Sequence, residues 1–329
     1  MKIAVDAFGG DNAPVEILKG AAQAVAEYGV EIILTGNADI INAAAEKHGI
    51  SKNGMTVSDC SGIIGMEDEP TVILKAKRNS SMGRALDILA QGHADAAVSA
   101  GSTGALLAGG SLIVKRLPGI KRAALAPIIP TASGPAILID CGANVENKPE
   151  YLMQFGIMGS VYMEKIIGIE KPRVGLLNNG TEPTKGTPLH VEAHGLLIST
   201  HSINFIGNIE AREVPLGGAD VIVADGFSGN ILLKSIEGMG AMMLKSVKRI
   251  FYKNLFTKLA AKIIQKDFMA FKQQMDYTEY GGAPLMGISK PVIKAHGSSD
   301  ANAIKNAIRQ AISFVEKDVN GYIAEIINE

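Results

Sequence analysis

Short apolar runs alternate along the chain with longer segments in which apolar residues recur at helical spacing. The runs predict strands at 3–7, 31–35, 96–99, 136–140, 174–177, 204–206 and 221–224. The helical spacing predicts helices at 14–28, 39–48, 82–91, 104–117, 150–167, 189–199 and 301–316. Most of the runs are apolar throughout, as in parallel strands that are covered on both faces. The alternation predicts an α/β fold, a three-layer α/β/α sandwich with a mainly parallel sheet.

The chain shows no internal repeat and no Pro/Ser-rich linker over its 329 residues. This pattern predicts a single domain over 1–329, with two lobes around a cleft as a variant of the same unit. Residues 96–114 carry no charge, which is nearly the length of a membrane span. Four glycines and several hydroxyl side chains interrupt that stretch, so a strand, a polar loop and a buried helix are expected there instead.

A basic helical segment is predicted at about 240–275. Its stretch 240–266 carries seven basic residues and no acidic one, with apolar residues at helical spacing. Two interpretations are equally supported: a solvated helix packed on the body or on a second subunit, and an interfacial helix that meets anionic lipid or an acidic protein. The candidates for carrier-protein or membrane contact are Lys248, Arg249, Lys253 and Lys258.

Composition and missing motifs exclude several classes of protein. The net charge of -1 does not indicate nucleic-acid binding, and two cysteines are too few for a disulfide framework. The chain lacks a P-loop, a dinucleotide-binding G-x-G-x-x-G after the first strand, a G-x-S-x-G elbow and an H-E-x-x-H zinc motif. Cys141 is a possible nucleophile, but a buried inert thiol is the commoner case. His190 and His194 stand four residues apart without a third ligand nearby, so no metal and no cofactor are expected.

Polar, glycine-rich loops follow six of the predicted strands, at 6–11, 99–104, 140–144, 178–186, 207–210 and 225–230. The carboxyl ends of strands are where open α/β sheets bind ligands, so these loops predict one shared site. The loop 99–104 opens a helix, which favours anion binding over simple capping. Lys185 is the cation among these loops. Asn230 is either an amide donor to an oxyanion or a plain helix cap.

The loops together resemble the PlsX-type phosphate acyltransferase family of bacterial phospholipid synthesis. The motifs that carry the resemblance occur in the family's order: IAVDAFGGD (3–11), SAGSTGA (99–105), LIDCGAN (138–144), LLNNGTEPTKG (176–186), FIGNIE (205–210), ADGFSGN (224–230) and AHGSSD (295–300). The resemblance covers essentially the whole chain, and the ordered set is highly specific.

The resemblance implies a fold akin to phosphotransacetylases and to isocitrate and isopropylmalate dehydrogenases. It implies transfer of a fatty acyl group from acyl carrier protein to inorganic phosphate, which gives acyl phosphate. It also implies a homodimer in the cytoplasm that associates peripherally with the membrane, where a glycerol-3-phosphate acyltransferase uses the product.

A phosphorolysis of this kind needs alignment of phosphate with a carbonyl group and stabilisation of an oxyanion. The hypothesis assigns this catalytic role to Lys185 and Asn230, with Lys185 on the phosphate or on the carrier arm. Asp6 and Asp225 are expected to orient loops or to act as turn residues only. The candidates for phosphate or substrate binding are Asp6, Gly9, Gly10, Ser102, Thr103, Gly104, Asn144, Asn179, Gly180, Asp225, Ser228, Gly229 and His296.

Three rival functions are distinguishable. A short-chain phosphotransacetylase would use coenzyme A thioesters with the same fold and nearly the same chemistry. An NAD-dependent decarboxylating dehydrogenase would need clustered acidic metal ligands, which the sequence does not show. A non-catalytic membrane scaffold is supported by the basic segment alone.

Overall fold

The fold is that of a computed structural model, which describes residues 1–266, 268–269 and 281–328. The strands are β1 (Lys2–Asp6), β2 (Glu31–Gly36), β3 (Met55–Asp59), β4 (Ala96–Ser99), β5 (Ala124–Leu125), β6 (Ile128–Thr131), β7 (Gly134–Ile139), β8 (Arg173–Asn178), β9 (Asn204–Glu210), β10 (Val221–Val223), β11 (Ala283–Met286) and β12 (Val292–Lys294). The α-helices are α1 (Val15–Tyr28), α2 (Ala38–Lys47), α3 (Ser81–Ala90), α4 (Thr103–Gly109), α5 (Pro149–Tyr162), α6 (Pro188–Ser199), α7 (Gly226–Phe251), α8 (Leu255–Ile263), α9 (Ala301–Glu316) and α10 (Val319–Asn328).

The strands form two sheets, each mainly parallel. Sheet one has the order β3-β2-β1-β4-β12-β11-β5, and sheet two has the order β6-β7-β10-β8-β9. The strands from β3 to β12 in sheet one and from β7 to β9 in sheet two run parallel, while β11, β5 and β6 pair antiparallel with their neighbours. The predicted α/β class with a mainly parallel sheet is confirmed, and the two sheets form two lobes.

The predicted strands are all present, since their apolar runs fill the layer between helices. In β1, for example, Ile3, Ala4 and Val5 are almost completely buried. The sequence did not predict β3, β5, β6, β11 or β12. Strand β3 is half-exposed and partly polar, β5 and β12 are very short, and β6 and β11 contain Pro130 and Pro284, so none of them shows a clear apolar run.

The predicted helix at 104–117 begins one residue earlier as α4 and continues as a π-helical segment, Gly110–Lys115. The basic segment differs more from the expectation. Helix α7 already begins at Gly226, and it ends at Phe251 instead of continuing to residue 266. The second helix, α8, starts after Asn254, which exchanges backbone-to-side-chain hydrogen bonds with Thr257 at 2.9 and 3.0 Å. The part of the prediction at 270–275 lies outside the described residues.

The two lobes meet where sheet one ends at β5. Leu125 donates its N–H to Asp140 Oδ1 at 2.9 Å and accepts a hydrogen bond from the Cys141 N–H at 3.0 Å. Two buried apolar clusters each contain residues of both sheets. The junction places the loops after the strands of the two lobes around one cleft.

Candidate active site

A cavity of about 560 Å³ lies in the cleft and is lined by residues of both lobes. Most polar residues of its wall lie at or after the carboxyl ends of β4, β10 and β12, and this part is called the polar end. The polar side chains in the cavity wall are Thr103, Asn230, Lys234, Glu237, Lys294, His296 and Ser299. The remaining wall is largely apolar, with contributions from β5, β6 and one face of α7. The larger apolar side chains of this wall are Leu125, Pro127, Ile128, Ile129, Pro130, Leu233, Ile236, Met243, Leu244 and Val247, and Cys141 and several alanines also line it.

The loop after β1 is held by a buried carboxylate. Asp6 Oδ2 accepts a hydrogen bond from Ser99 Oγ at 2.6 Å, and Asp6 Oδ1 accepts one from the Phe8 N–H at 3.2 Å. Burial raises the pKa of Asp6 above its ordinary value, and the hydrogen bonds that it accepts oppose this rise. Asp6 therefore ties the loop 6–11 to the loop 99–104 and does not itself line the cavity.

Two glycines allow these loops to approach each other. A Cβ on Gly9 would lie 2.6 Å from the backbone nitrogen of Gly101. Gly10 has a φ of +92°, and a Cβ there would lie 2.7 Å from the carbonyl oxygen of Gly297. The Asp11 N–H donates to that same oxygen at 2.8 Å. The glycines thus act through close backbone packing, which a side chain would prevent.

The loop 99–104 enters α4. Ser102 is buried and caps the helix, since its Oγ accepts a hydrogen bond from the Ala105 N–H at 3.5 Å. Thr103 lies in the cavity wall. Gly104 packs against Pro70, whose Cγ would lie 2.9 Å from a Cβ at that position. Of the three candidates in this loop, the structure therefore brings Thr103 to the cavity.

A third loop of the same lobe follows β12. Lys294 is the last residue of that strand, is paired with Ser99 in the sheet and is 9% exposed. Its Nζ donates to the carbonyl oxygens of Ala100, at 3.3 Å, and of Ala295. His296 follows in the cavity wall, and burial lowers the pKa of His296 below its ordinary value.

In the other lobe, Asp140 organises the loop after β7. Its Oδ1 accepts from the Leu125 and Ala143 N–H groups at 2.9 and 3.2 Å, and its Oδ2 accepts from the Asn144 N–H at 2.7 Å. Burial raises the pKa of Asp140 to about 6, against the lowering effect of these hydrogen bonds. Asn144 is buried and donates its Nδ2–H to the carbonyl oxygen of Ala123 at 2.8 Å. Asn144 therefore links the loop after β7 to the segment that precedes β5.

The start of α7 carries the catalytic candidate of this lobe. Asp225 caps the helix by accepting the Phe227 and Ser228 N–H groups at 3.1 and 2.9 Å. A Cβ on Gly229 would lie 1.9 Å from the carbonyl oxygen of Asp140, so this turn requires glycine. Asn230 is exposed in the cavity wall. The cap and the glycine thus fix where the Asn230 amide enters the cleft.

The loop 178–186 lies beside the cavity. Asn178 Nδ2 donates to the carbonyl oxygen of Lys185 at 3.0 Å, and the aliphatic part of Lys185 covers the buried Gly180. Lys185 and Asn179 are exposed, and neither is among the described residues that line the cavity. The loop leads into α6, where His190 Nε2 lies 3.7 Å from Asp225 Oδ2. The helix that follows the Lys185 loop therefore meets the α7 cap through His190, and Lys185 itself lies outside the described cavity wall.

The structure brings Thr103, Asn230 and His296 together in one wall and uses most of the other candidates as loop supports. Four polar residues of the wall were not among the sequence candidates, namely Lys234, Glu237, Lys294 and Ser299. For Lys294 and Ser299 a local signal existed. The available signal was the run PVIK at 291–294 directly before a polar loop and a helix. That run is too short to stand out as a strand.

The basic candidates lie far along α7 and beyond it. Lys248, Arg249, Lys253 and Lys258 are all exposed, and Lys258 Nζ lies 6.0 Å from the centre of the Tyr252 ring. Exposed apolar side chains accompany them, namely Met239, Met242, Ile250, Tyr252, Phe256, Leu259 and Ile263. No helix in the described ranges has both the length and the apolarity needed to cross a membrane.

The family model described as fatty acid synthesis protein matches residues 1–321. The chain belongs to this family. The phosphate acyltransferase of Alkaliphilus oremlandii is 49% identical over 325 residues, which cover 99% of this chain and 97% of that protein. The phosphate acyltransferase of Thermoanaerobacterium thermosaccharolyticum is 47% identical over 323 residues, with 98% and 96% covered. The resemblance stated from the motifs is confirmed.

Solved structures show the same fold as this member of the fatty acid synthesis protein family. A phosphotransacetylase from Streptococcus pyogenes aligns with a TM-score of 0.64 at 21% identity, over 96% of this chain and 94% of that chain. The EutD phosphotransacetylase from Staphylococcus aureus aligns with a TM-score of 0.60 at 18% identity, over 99% and 94%. The expected likeness to phosphotransacetylases is confirmed at the level of the fold.

The structure bears on two alternatives from the sequence, a nucleophilic Cys141 and a metal site at His190 and His194. Burial raises the pKa of the Cys141 thiol well above its ordinary value, which disfavours a thiolate nucleophile. His194 Nδ1 lies 3.0 Å from Asn208 Oδ1, and its ring packs against Phe205. No group of three or more potential ligand side chains is placed to hold a metal ion in the part of the chain that the structure describes.

Proposed function

We propose that the protein transfers a fatty acyl group from acyl carrier protein to inorganic phosphate and releases acyl phosphate. The observation that carries the proposal is the cavity, which joins a polar end at the strand carboxyl ends to a long apolar wall along α7. Thioester and phosphate fit the polar end, and an acyl chain fits the apolar wall. Membership of the family and the names of the relatives support the same reaction.

The chemistry needs no covalent acyl-enzyme, because phosphate is already an anionic nucleophile. The raised pKa of Cys141 disfavours a thiolate and agrees with a direct attack by phosphate. Asn230 reaches the cavity from the first turn of α7 and donates its amide N–H to the oxyanion that forms on the thioester carbonyl. Lys185, on the flanking loop, supplies positive charge to phosphate or to the carrier arm when substrate is bound.

The other candidates divide by their contacts. Thr103 and His296 line the cavity and position phosphate or the thioester. The supporting candidates keep the loops in place through backbone contacts and caps. They are Asp6, Gly9, Gly10, Ser102, Gly104, Asn144, Asn179, Gly180, Asp225, Ser228 and Gly229.

The test is the formation of acyl phosphate by the purified protein from palmitoyl-acyl carrier protein and inorganic phosphate, with palmitoyl-coenzyme A as a parallel donor. Phosphate-dependent turnover with the carrier protein is expected. Turnover with coenzyme A alone would assign the chain to the phosphotransacetylase activity instead. Absence of turnover with both donors would reject the proposed reaction.

The catalytic assignment is tested by Lys185→Ala and Asn230→Ala. Loss of one donor to a developing oxyanion should lower kcat by about 10²-fold. Lys47→Ala is a matched control, because Lys47 is also exposed but lies at the end of α2. Near-normal turnover in Lys185→Ala would remove that residue from the mechanism.

We further propose that the tip of α7 and α8 contacts the carrier protein and the membrane surface. Its exposed lysines and arginine match an acidic carrier protein and anionic lipid, and its exposed apolar side chains match a lipid interface. Replacing Lys248, Arg249, Lys253 and Lys258 by Gln should raise the KM for the acyl carrier protein and weaken binding to anionic vesicles. If the parent protein and the Gln variant bound anionic vesicles equally at low salt, with the same KM for the acyl carrier protein, this assignment would be contradicted.

A homodimer in the cytoplasm and delivery of acyl phosphate to a membrane glycerol-3-phosphate acyltransferase complete the proposal. Acyl phosphates hydrolyse readily, so a consumer at the same membrane surface suits the chemistry of the product. Sedimentation equilibrium tests the dimer. A coupled assay on vesicles that contain the acyltransferase tests the delivery step, and no rate gain on vesicles would count against it.

A further inference from the structure

Lys294 is a buried cation in the cavity wall that the mechanism above does not use. Its ammonium group carries three N–H donors, and carbonyl oxygens of Ala100 and Ala295 accept two of them. Lys294 makes no ion pair with any carboxylate of the described residues. A donor and a positive charge therefore stand available at the polar end of the cavity.

The hydroxyl of Ser299 lies in the same wall. It is buried, the residue is 6% exposed, and the Oγ has no hydrogen-bond partner within the described ranges. A buried hydroxyl without a partner is costly, and a ligand that accepts its hydrogen bond would remove that cost. The unsatisfied group therefore points to an acceptor that occupies the cavity.

Helix α9 adds to the positive potential at this place. It begins directly after Asp300, which caps it by accepting the Ala303 N–H at 2.9 Å. Ala303, in its first turn, also lines the cavity. The positive end of this 16-residue helix therefore lies beside Ser299 and favours a negatively charged ligand.

The second lysine of the wall does not compete for the same role. Lys234 Nζ lies 2.7 Å from Glu237 Oε2, one turn along α7, so a carboxylate already offsets its charge. Lys294 is the cavity lysine whose charge has no such partner among the described residues. The charge pattern of the wall thus favours an anion at the end of β12.

We propose that Lys294 and Ser299 bind the attacking phosphate on the sheet-one side of the cavity. This inference rests on the proposed function and names the site of its second substrate. An oxygen of HPO₄²⁻ attacks the thioester carbon, so a C–O bond forms and the C–S bond breaks. The electron pair of that bond leaves with sulfur, and the proton of HPO₄²⁻ ends on the thiol. The products are acyl phosphate and free carrier thiol.

The experiment measures KM for phosphate and KM for the acyl donor separately in Lys294→Met and Ser299→Ala. Each variant should raise the KM for phosphate at least about tenfold, since a hydrogen bond to a charged group is lost. The KM for the donor should stay within about twofold. Lys290→Met is the matched control, because Lys290 also donates to a carbonyl oxygen, that of Leu89 at 2.9 Å, but lies outside the described cavity wall.

The acyl donor also carries a phosphodiester on its arm, which could occupy the same anion site as inorganic phosphate. The separate KM values for phosphate and for the donor distinguish these two anions. An increase confined to the donor KM, or an unchanged phosphate KM in both variants, would overturn the proposal. Thermal unfolding with and without inorganic phosphate gives a readout independent of turnover. Phosphate should raise the Tm of the parent protein and of Lys290→Met more than that of Ser299→Ala.

These readouts keep the two proposals apart. A parent protein that gains Tm with phosphate but forms no acyl phosphate would reject the proposed function and retain the site. If the parent protein forms acyl phosphate while Ser299→Ala and Lys294→Met keep their phosphate KM, the proposed function stands and the phosphate site is rejected. If Lys294→Met does not fold, Ser299→Ala decides the question alone.

Discussion

Gly9 shows how a single residue type sets the spacing of the loops at the site. Its Cα lies so close to the neighbouring loop that a methyl group would meet the Gly101 nitrogen at 2.6 Å and Asp6 Oδ2 at 2.7 Å. Gly238, in the exposed middle of α7, has no atom within 4 Å of its ideal Cβ. The same residue type is thus required at one position and replaceable at the other.

Gly9→Ala should lower the free energy of unfolding by about 1–3 kcal/mol, because packed backbone must move to admit the methyl group. It should also lower turnover, since the loops 6–11 and 99–104 shift together. Gly238→Ala should raise the free energy of unfolding by about 0.5–1 kcal/mol through helix propensity. Denaturant unfolding of both variants checks the pair, and equal effects would contradict the packing argument.

The charge of Lys294 should appear in the pH dependence of the reaction. Burial lowers the pKa of Lys294 from 10.5 to about 8, Asp6 and Asp11 act to raise it, and Lys234 acts to lower it. The ammonium form is therefore present below about pH 8 and is lost above it. Burial lowers the pKa of His296 below its ordinary value, so His296 titrates at a lower pH than Lys294.

For the free enzyme, kcat/KM for phosphate should fall as the pH rises through about 8. Lys294→Arg keeps its charge over this range, so its profile should stay flat there even if its absolute rate is lower. Steady-state rates between pH 6 and about 9.5 check this point. A fall of the same size and midpoint in both proteins would assign the titration to another group.

At the scale of elements, α7 runs from the polar end of the cavity to an exposed basic tip. Its 26 residues span about 39 Å, from the Asp225 cap at the polar end of the cavity to the basic tip. Between these ends its Leu233, Ile236, Met243 and Leu244 side chains line the apolar wall. One helix therefore carries Asn230, the apolar wall and the proposed contact surface in this order.

The absence of a side chain at Gly240 should leave room for a long acyl chain. Gly240 lines the cavity, and its ideal Cβ has open space around it. Gly240→Leu should fill that space and lower kcat/KM for palmitoyl relative to octanoyl carrier protein by at least about tenfold. Gly238→Leu is the control, because Gly238 lies outside the described wall and should leave the ratio unchanged.

For the whole molecule, the cleft depends on how the two lobes are joined. Phe314 of α9 packs on Tyr162 of α5, with ring centres 6.1 Å apart, and Gln310 Nε2 donates to the Tyr162 hydroxyl at 2.8 Å. Helix α9 packs on β4 and β12 of sheet one, and α5 packs on β7 and β10 of sheet two. The lobes thus share buried contacts at the helix layer.

We expect the chain to unfold as one cooperative unit, as a single domain over 1–329 requires. Phe314→Ala should lower the free energy of unfolding by about 3–5 kcal/mol and shift one transition without splitting it. Phe256→Ala is the control, since Phe256 is 83% exposed on α8 and should change stability by less than about 0.5 kcal/mol. Two separate calorimetric transitions would show that the lobes unfold independently.

The sequence by itself determined the fold class, the positions of the deeply buried strands along the chain and three of the loops that line the cavity, 99–104, 140–144 and 225–230. Those features are local, because an apolar run, a glycine turn or an Asx cap such as Asp225 can be read from neighbouring residues. The same local logic predicted a helix start at 225–230 but did not continue that helix through the first half of α7, whose glycines at 226, 229, 238 and 240 weaken its helical pattern.

Only the tertiary structure decided which loop residues share a cavity. Lys294 and Asn230 are 64 positions apart in the chain, and nothing local distinguishes Lys294 from other lysines. Its burial at the end of β12, the unsatisfied hydroxyl of Ser299 and the division into two sheets all arise from packing between distant segments. Burial and charge compensation are properties of the assembled surroundings, so they become readable only when the lobes are in place.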